Sequence, residues 1–118
     1  VSRLVIEASG ENGIPVVTVK GEVDIASADE VVQAVGAADS SAPGVVLAVG
    51  QVSFMDSTGL GAIARLHRQF EASGRKLVLA VSPSRAVRRI LQLTGMESRL
   101  HVVDEVKEAV VLLADNDA

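Results

Sequence analysis

The 118-residue chain has no cysteine, tryptophan or tyrosine, and it carries only two phenylalanines, two histidines and three prolines. Without thiols there is no cysteine nucleophile, disulfide, thiolate zinc site or iron–sulfur cluster. With so few rings there is little from which to build a stacking platform for bases. Basic charge is also in short supply: eleven bases against fifteen acids leave a net charge of −4, which argues against general nucleic-acid binding. Long apolar runs are missing too. The longest, Ala109 to Ala114, is far shorter than the ~20 residues of a spanning helix, so no membrane segment is expected. The first residues, Val1-Ser2-Arg3-Leu4, do not have the basic-then-apolar order of a secretory signal, and the cytoplasm is the expected compartment.

What is present is globular. Hydrophobic residues make up 48% and charged residues 22% of a length that suits one domain, here 1–118 with a core over about 4–113. A domain of this size buries roughly two-thirds of its unfolded surface and needs no metal or disulfide to fold.

Leu4 to Ala8 reads as an edge strand, followed by a turn at Gly10-Glu11-Asn12-Gly13. Ile14 to Lys20, rich in β-branched residues, is a strand, and Gly21-Glu22-Val23-Asp24 reads as a break after it. Val31, Ala34, Val35 and Ala38 recur at helical spacing in a helix from about Ser27 to Ala38. Val45 to Val49 and Leu77 to Val81 are continuous apolar runs, as in strands buried on both faces. Between them Asp56-Ser57-Thr58 opens a helix to about Ser73, with Leu60, Ile63, Leu66, His67 and Phe70 on its apolar side. A third helix starts at Ser82-Pro83-Ser84 and ends at Gly95. Leu100 to Val103 is a short strand, and Asp104 is expected to cap a last helix through about Leu113.

This alternation describes an α/β domain with a mixed, mostly parallel sheet of about five strands and four helices. Charge is segregated along it. Residues 1–60 hold two bases and eight acids, 61–103 eight bases and two acids, and 104–118 one base and five acids. Such blocks are commonly solvated helix faces, but opposed patches also steer a charged protein partner. Arg85, Arg88 and Arg89 are candidates for a basic patch.

The densest constellation is Phe54-Met55-Asp56-Ser57-Thr58-Gly59-Leu60-Gly61, between a buried strand and a helix. Free amides and the helix dipole there favour negative charge. Two hydroxyls are presented together, and Gly59 and Gly61 leave room for another backbone. Helix capping by Asp56 or Ser57, with the glycines relieving crowding, is enough to account for a lone Asp-Ser-Thr. The sharper reading is a phosphorylation site: phosphate on Ser57 adds roughly −1.5 to −2 charge, altering a docking surface without unfolding the domain. Gly59-Leu60-Gly61-Ala62-Ile63-Ala64 also fits a Gly-x-Gly-x-x-Ala dinucleotide pattern, so a nucleotide or small anion at the helix start is the alternative. No acid follows the next strand, however, and no Gly-Lys-Ser/Thr phosphate loop exists.

Catalysis finds less support. Ser57 with His67 and an aspartate would make a triad, but His67 falls on an apolar helix side and reads as a packed histidine. His101 has no companion at metal-ligand spacing, so no metal, cofactor or catalytic residue is expected. Asp24 and Asp56 both follow strands and are expected on one sheet edge. Such a carboxylate pair also suggests a phospho-accepting receiver. That family, however, expects an acidic pair after the first parallel strand and a lysine after a later one, and neither is evident.

At these residues the chain resembles the STAS domains of bacterial anti-sigma factor antagonists. The resemblance rests on Phe54-Met55-Asp56-Ser57-Thr58-Gly59-Leu60-Gly61 and on Gly21-Glu22-Val23-Asp24 upstream. Ser82-Pro83-Ser84 and Leu93-Thr94-Gly95-Met96 extend it, from about Leu4 to Leu113. It implies a non-enzymatic switch. The unmodified protein binds an anti-sigma factor, often a protein serine kinase, and frees a sigma factor. Phosphorylation by that kinase ends binding, and a serine phosphatase restores it. Carried over, Ser57 is the acceptor and Asp56 its neighbouring acid, with Asp24 in the adjoining loop of the docking surface. Many members have serine where this chain has Thr58, which makes Thr58 the second candidate acceptor. A scaffold subunit that is never phosphorylated is the remaining alternative.

Overall fold

The computed structural model describes residues 4–38 and 41–115. The ends of the expected 1–118 domain therefore lie outside the described residues, Arg3 of the first charge block among them. The chain runs β1 (Val5–Glu11), β2 (Ile14–Val23), α1 (Ala28–Gly36), β3 (Gly44–Met55), α2 (Ser57–Ala72), β4 (Lys76–Ala80), α3 (Arg85–Thr94), β5 (His101–Val103) and α4 (Val106–Asp115). A single 3-10 turn, Met96–Ser98, follows α3.

The five strands form one sheet in the order β1-β2-β3-β4-β5. β1 is antiparallel to β2, and every later neighbour is parallel. The expected mixed, mostly parallel sheet with four helices is what the chain forms. β1 extends to Glu11, three residues beyond the strand read from sequence, so the turn shrinks to Asn12-Gly13. Both turn residues take positive φ (54° and 79°), which matches the twist of a two-residue hairpin and suits the Asn-Gly pair.

Sequential order among the parallel strands dictates where the helices go. Each β-α-β crossover is expected to be right-handed, and three crossovers that all step the same way put α1, α2 and α3 on one face. Alternation along the strands agrees. Val17, Val19, Val45, Leu47, Leu77 and Leu79 face that side and are packed with Val31, Val35, Ile63, Leu66, Phe70, Val87 and Leu91. Val16, Val46, Ala48, Val78 and Ala80 face the other side, where Ala109, Val110 and Leu113 of α4 cover them.

Two strand ends depart from the sequence reading. Gly21-Glu22-Val23 is not a break but the end of β2, and β3 continues six residues past Val49 to Met55. β4 accompanies β3 only as far as Ala48, so the rest of β3 pairs with β2 alone. The register slips between Thr18 and Lys20 and again between Gly21 and Glu22. Each slip adds one residue to β3. Val49, Val52 and Met55, three apart, therefore all reach the same core. Gly21, at φ 108°, supplies the backbone conformation that the second irregularity needs.

The start of the last helix is also corrected. α4 begins after Glu105, whose N–H donates to Glu108 Oε1 at 3.0 Å in the manner of a capping box. Asp104 is not the cap. Its Oδ1 accepts from Arg88 at 2.6 Å and Ser82 Oγ at 3.1 Å, which takes Arg88 out of the free basic patch read from sequence. Both bonds hold the Asp104 carboxyl below its ordinary pKa of 3.8.

Candidate functional site

The residues expected at the site lie at the C-terminal edge of the parallel strands, where β2 and β3 end side by side. Val23 pairs with Met55, and the Asp56 N–H donates to the Val23 carbonyl at 3.3 Å. Asp24 and Asp56 thus leave adjacent strands on one edge, as their positions in the sequence imply. α/β domains place binding sites at such edges.

The two carboxylates are both occupied by local structure. Asp56 is the N-cap of α2, in extended conformation, and its Oδ1 accepts from the Gly59 N–H at 3.0 Å. Asp24 organises the turn into α1. Its Oδ1 accepts from the N–H groups of Ala26 and Ser27 and from Ser27 Oγ, at 3.0, 3.2 and 3.1 Å. Ser27, 8% exposed, accepts in turn from the Asp24 N–H and reaches the Glu22 carbonyl. Sequence reasoning placed Ser27 at a helix start but missed this role, which only the closing turn creates.

Ser57 and Thr58 occupy the first two positions of α2. Their side chains are exposed and make no hydrogen bond among the described residues. The first helical N–H groups have no intrahelical partner, and Asp56 occupies only that of Gly59. Gly59 follows the second of its two sequence readings, relief of crowding, and not the first. It is buried, and a Cβ there would lie 2.9 Å from both the Val23 carbonyl oxygen and Val23 Cγ1. The room expected for a partner's backbone is filled by this chain's own β2. Gly61 is half-exposed, with only the Arg65 guanidinium near a built Cβ. Both glycines lie inside α2, so they do not form a loop before it that would cradle a phosphate.

Two apolar side chains stand exposed at this edge, of which Ile25 belongs to no motif read from the sequence. Ile25, between the Asp24 turn and α1, is 80% exposed, and Phe54, beside Glu22 in the strand register, is 46% exposed. Acids stand near them in the chain: Glu22 at the end of β2, Asp24 and Asp56 in the two turns, and Asp29 and Glu30 in the first turn of α1.

A serine-histidine triad is not assembled. His67 lies ten residues along α2 from Ser57, about 15 Å at 1.5 Å per residue. Its ring is 5.3 Å from that of His101, and His101 Nε2 is 3.2 Å from Glu71 Oε2. His101, without a companion at metal-ligand spacing in the sequence, does have companions in space. They come from another element thirty residues away, which local spacing does not reveal.

Residues 5–109 match the STAS domain family model. The chain belongs to the STAS domain family. Among solved structures, an anti-sigma factor antagonist from Mycobacterium paratuberculosis superposes with a TM-score of 0.79 at 25% identity, covering 95% of each chain. The anti-sigma factor antagonist SpoIIAA in its unphosphorylated form gives 0.70 at 22%, covering 90% of this STAS domain and 93% of that chain. A Thermotoga maritima protein, TM1081, gives 0.76 at 22%, covering 91% and 86%. The resemblance read from the Asp56–Gly61 segment is thereby confirmed at family level. No helix among the described residues of this domain is long and apolar enough to cross a membrane.

Proposed function

We propose that this STAS domain is an anti-sigma factor antagonist that docks through the Asp24–Asp56 edge and is switched off by phosphorylation of Ser57. The observation that carries the reading is the placement of Ser57. It is exposed at the first position of α2, next to the capping aspartate, and makes no hydrogen bond on which the fold depends. A phosphate added there meets the helix N-terminus, so the domain keeps its structure. The same phosphate adds charge to an edge already crowded with acids, and a partner that has desolvated Ile25 and Phe54 would have to bury it. Likeness in fold to anti-sigma factor antagonists supports the role.

In this reading the partner is an anti-sigma factor with serine kinase activity. A serine phosphatase resets the switch, and the exchange takes place in the cytoplasm. The domain contributes a surface and an acceptor hydroxyl but no catalysis of its own. Thr58, equally exposed at the second helical position, is the second acceptor.

Incubation with ATP and an anti-sigma factor kinase, followed by mass-spectrometric mapping, tests the assignment. Phosphate on Ser57, or on Thr58, supports the switch. Stoichiometric nucleotide binding without transfer would favour an anion site at the helix start. Neither outcome would leave a scaffold role and refute the proposal.

A further inference from the structure

Away from the docking edge, α2 and β5 bring together two imidazoles and a carboxylate. His67 and Glu71 are one helical turn apart on α2, hence on one face, and His101 opens β5. Their three candidate donor atoms all lie within 4.8 Å of one another. His101 Nε2 and Glu71 Oε2 are 3.2 Å apart, close to the about 3.3 Å expected between two ligands held 2.0–2.1 Å from a tetrahedral ion. The His67 ring leans over that of His101 at 56°. Its Nδ1 is sealed from solvent and meets no hydrogen-bond partner among the described residues.

An orphaned buried ring nitrogen is costly, and the His101–Glu71 hydrogen bond leaves His67 Nδ1 without a partner among the described residues. We propose that His67, Glu71 and His101 form a zinc site, with water or another small ligand in the fourth position. The donor set selects the ion. Two imidazoles disfavour magnesium and calcium, which prefer oxygen ligands, while two histidines and one carboxylate are a known zinc combination. A cleft of about 190 Å³ opens beside His67, lined also by Arg68 and Arg99. Those guanidiniums oppose a second cation and favour an anionic or neutral fourth ligand. The ion would staple the C-terminal half of α2 to the short edge strand β5. This inference does not depend on the switch at Ser57.

The test uses untagged, chelator-treated full chain titrated with zinc chloride by calorimetry and by thermal unfolding. One equivalent should bind, and a hundredfold excess over Kd should raise Tm by about 5–10 °C. Glu71→Gln and His101→Gln, each with unchanged far-UV circular dichroism, should lose both the heat and the Tm rise. In the wild type, zinc should shift the imidazole nitrogen resonances of both histidines, a readout that needs no variant. Absence of heat and of any Tm change, or a titration that survives intact in both variants, would overturn the proposal. In that case the 3.2 Å contact is an ordinary histidine–glutamate pair.

Discussion

Replacing Gly59 and Gly61 separately by alanine should move stability in opposite directions, although both glycines lie in the first turns of one helix. At Gly59 the new methyl carbon would lie 2.9 Å from Val23 Cγ1 and the Val23 carbonyl oxygen, and 3.1 Å from Met55 Cγ. The carbonyl belongs to the last residue of β2, fixed by its pairing with Met55, so it yields only by moving the strand end. Overpacking of this kind costs about 1–3 kcal/mol, and alanine's better helix propensity returns up to about 1 kcal/mol. Because the opposing atom is backbone, the upper part of the overpacking range applies, about 2–3 kcal/mol, and the expected net loss is about 1–2 kcal/mol. At Gly61 the nearest group is Arg65 Nη1 at 3.9 Å, a flexible side-chain end. There the propensity gain stands alone, about 0.5–1 kcal/mol in favour of alanine. Urea titration followed by far-UV circular dichroism is the assay, since the chain has no tryptophan or tyrosine to follow by fluorescence. Stabilisation by both substitutions would show that the α2 start is not pressed against β2. The geometry argued for the docking edge would then be wrong.

Ser84→Ala should destabilise by about 1–3 kcal/mol, because the buried hydroxyl caps the Val87 N–H at 3.1 Å and donates to the Val52 carbonyl at 2.6 Å. A smaller loss in the same urea assay would mean that the extension of β3 is not tied to α3. Arg88→Ala should let the Asp104 carboxyl pKa rise towards its ordinary value in an NMR titration, since Arg88 is the largest cause of its depression. A depressed carboxyl supports the fold above its unfolded pKa. The Arg88–Asp104 contribution is thus complete above about pH 5 and fades as acid takes the pH down through 3.8 and lower. Wild type and Arg88→Ala should converge in stability at that acid end. An Asp104 pKa no higher in Arg88→Ala than in wild type would contradict the assignment, since the Ser82 hydroxyl alone keeps only part of the depression.

Fold class and the succession of strands and helices along the chain were legible because the signals were strong and local. Val45–Val49 and Leu77–Val81 are unbroken apolar runs, and the helices between them have clear apolar faces. The extension of β3 was not legible. Gly50, Gln51 and Ser53 break the apolar run, and the spacing of Val49, Val52 and Met55 fits a strand only once two slips in register are known. Asp104 looked like a cap because aspartate before a helix usually is one. Its ion pair with Arg88 depends on α3 and the end of β5 meeting in space. At the candidate site, Asp56, Ser57 and Thr58 could be placed from sequence because capping chemistry is local. The inward role of Gly59, the Asp24–Ser27 knot and the exposure of Ile25 and Phe54 needed β2 and β3 to end together. The meeting of His67, Glu71 and His101 is tertiary in the same sense.

The proposed switch requires that charge at Ser57 decide docking while the fold stays intact. Calorimetry of wild type, Ser57→Ala and Ser57→Asp against an anti-sigma factor, with far-UV circular dichroism of each, is the decisive test. A mispaired charge buried in an interface costs on the order of 2–5 kcal/mol, so Ser57→Asp should bind about thirtyfold more weakly or worse. Ser57→Ala should bind nearly as wild type, and all three spectra should coincide. Equal affinity for wild type and Ser57→Asp, with unchanged spectra, would contradict the claim.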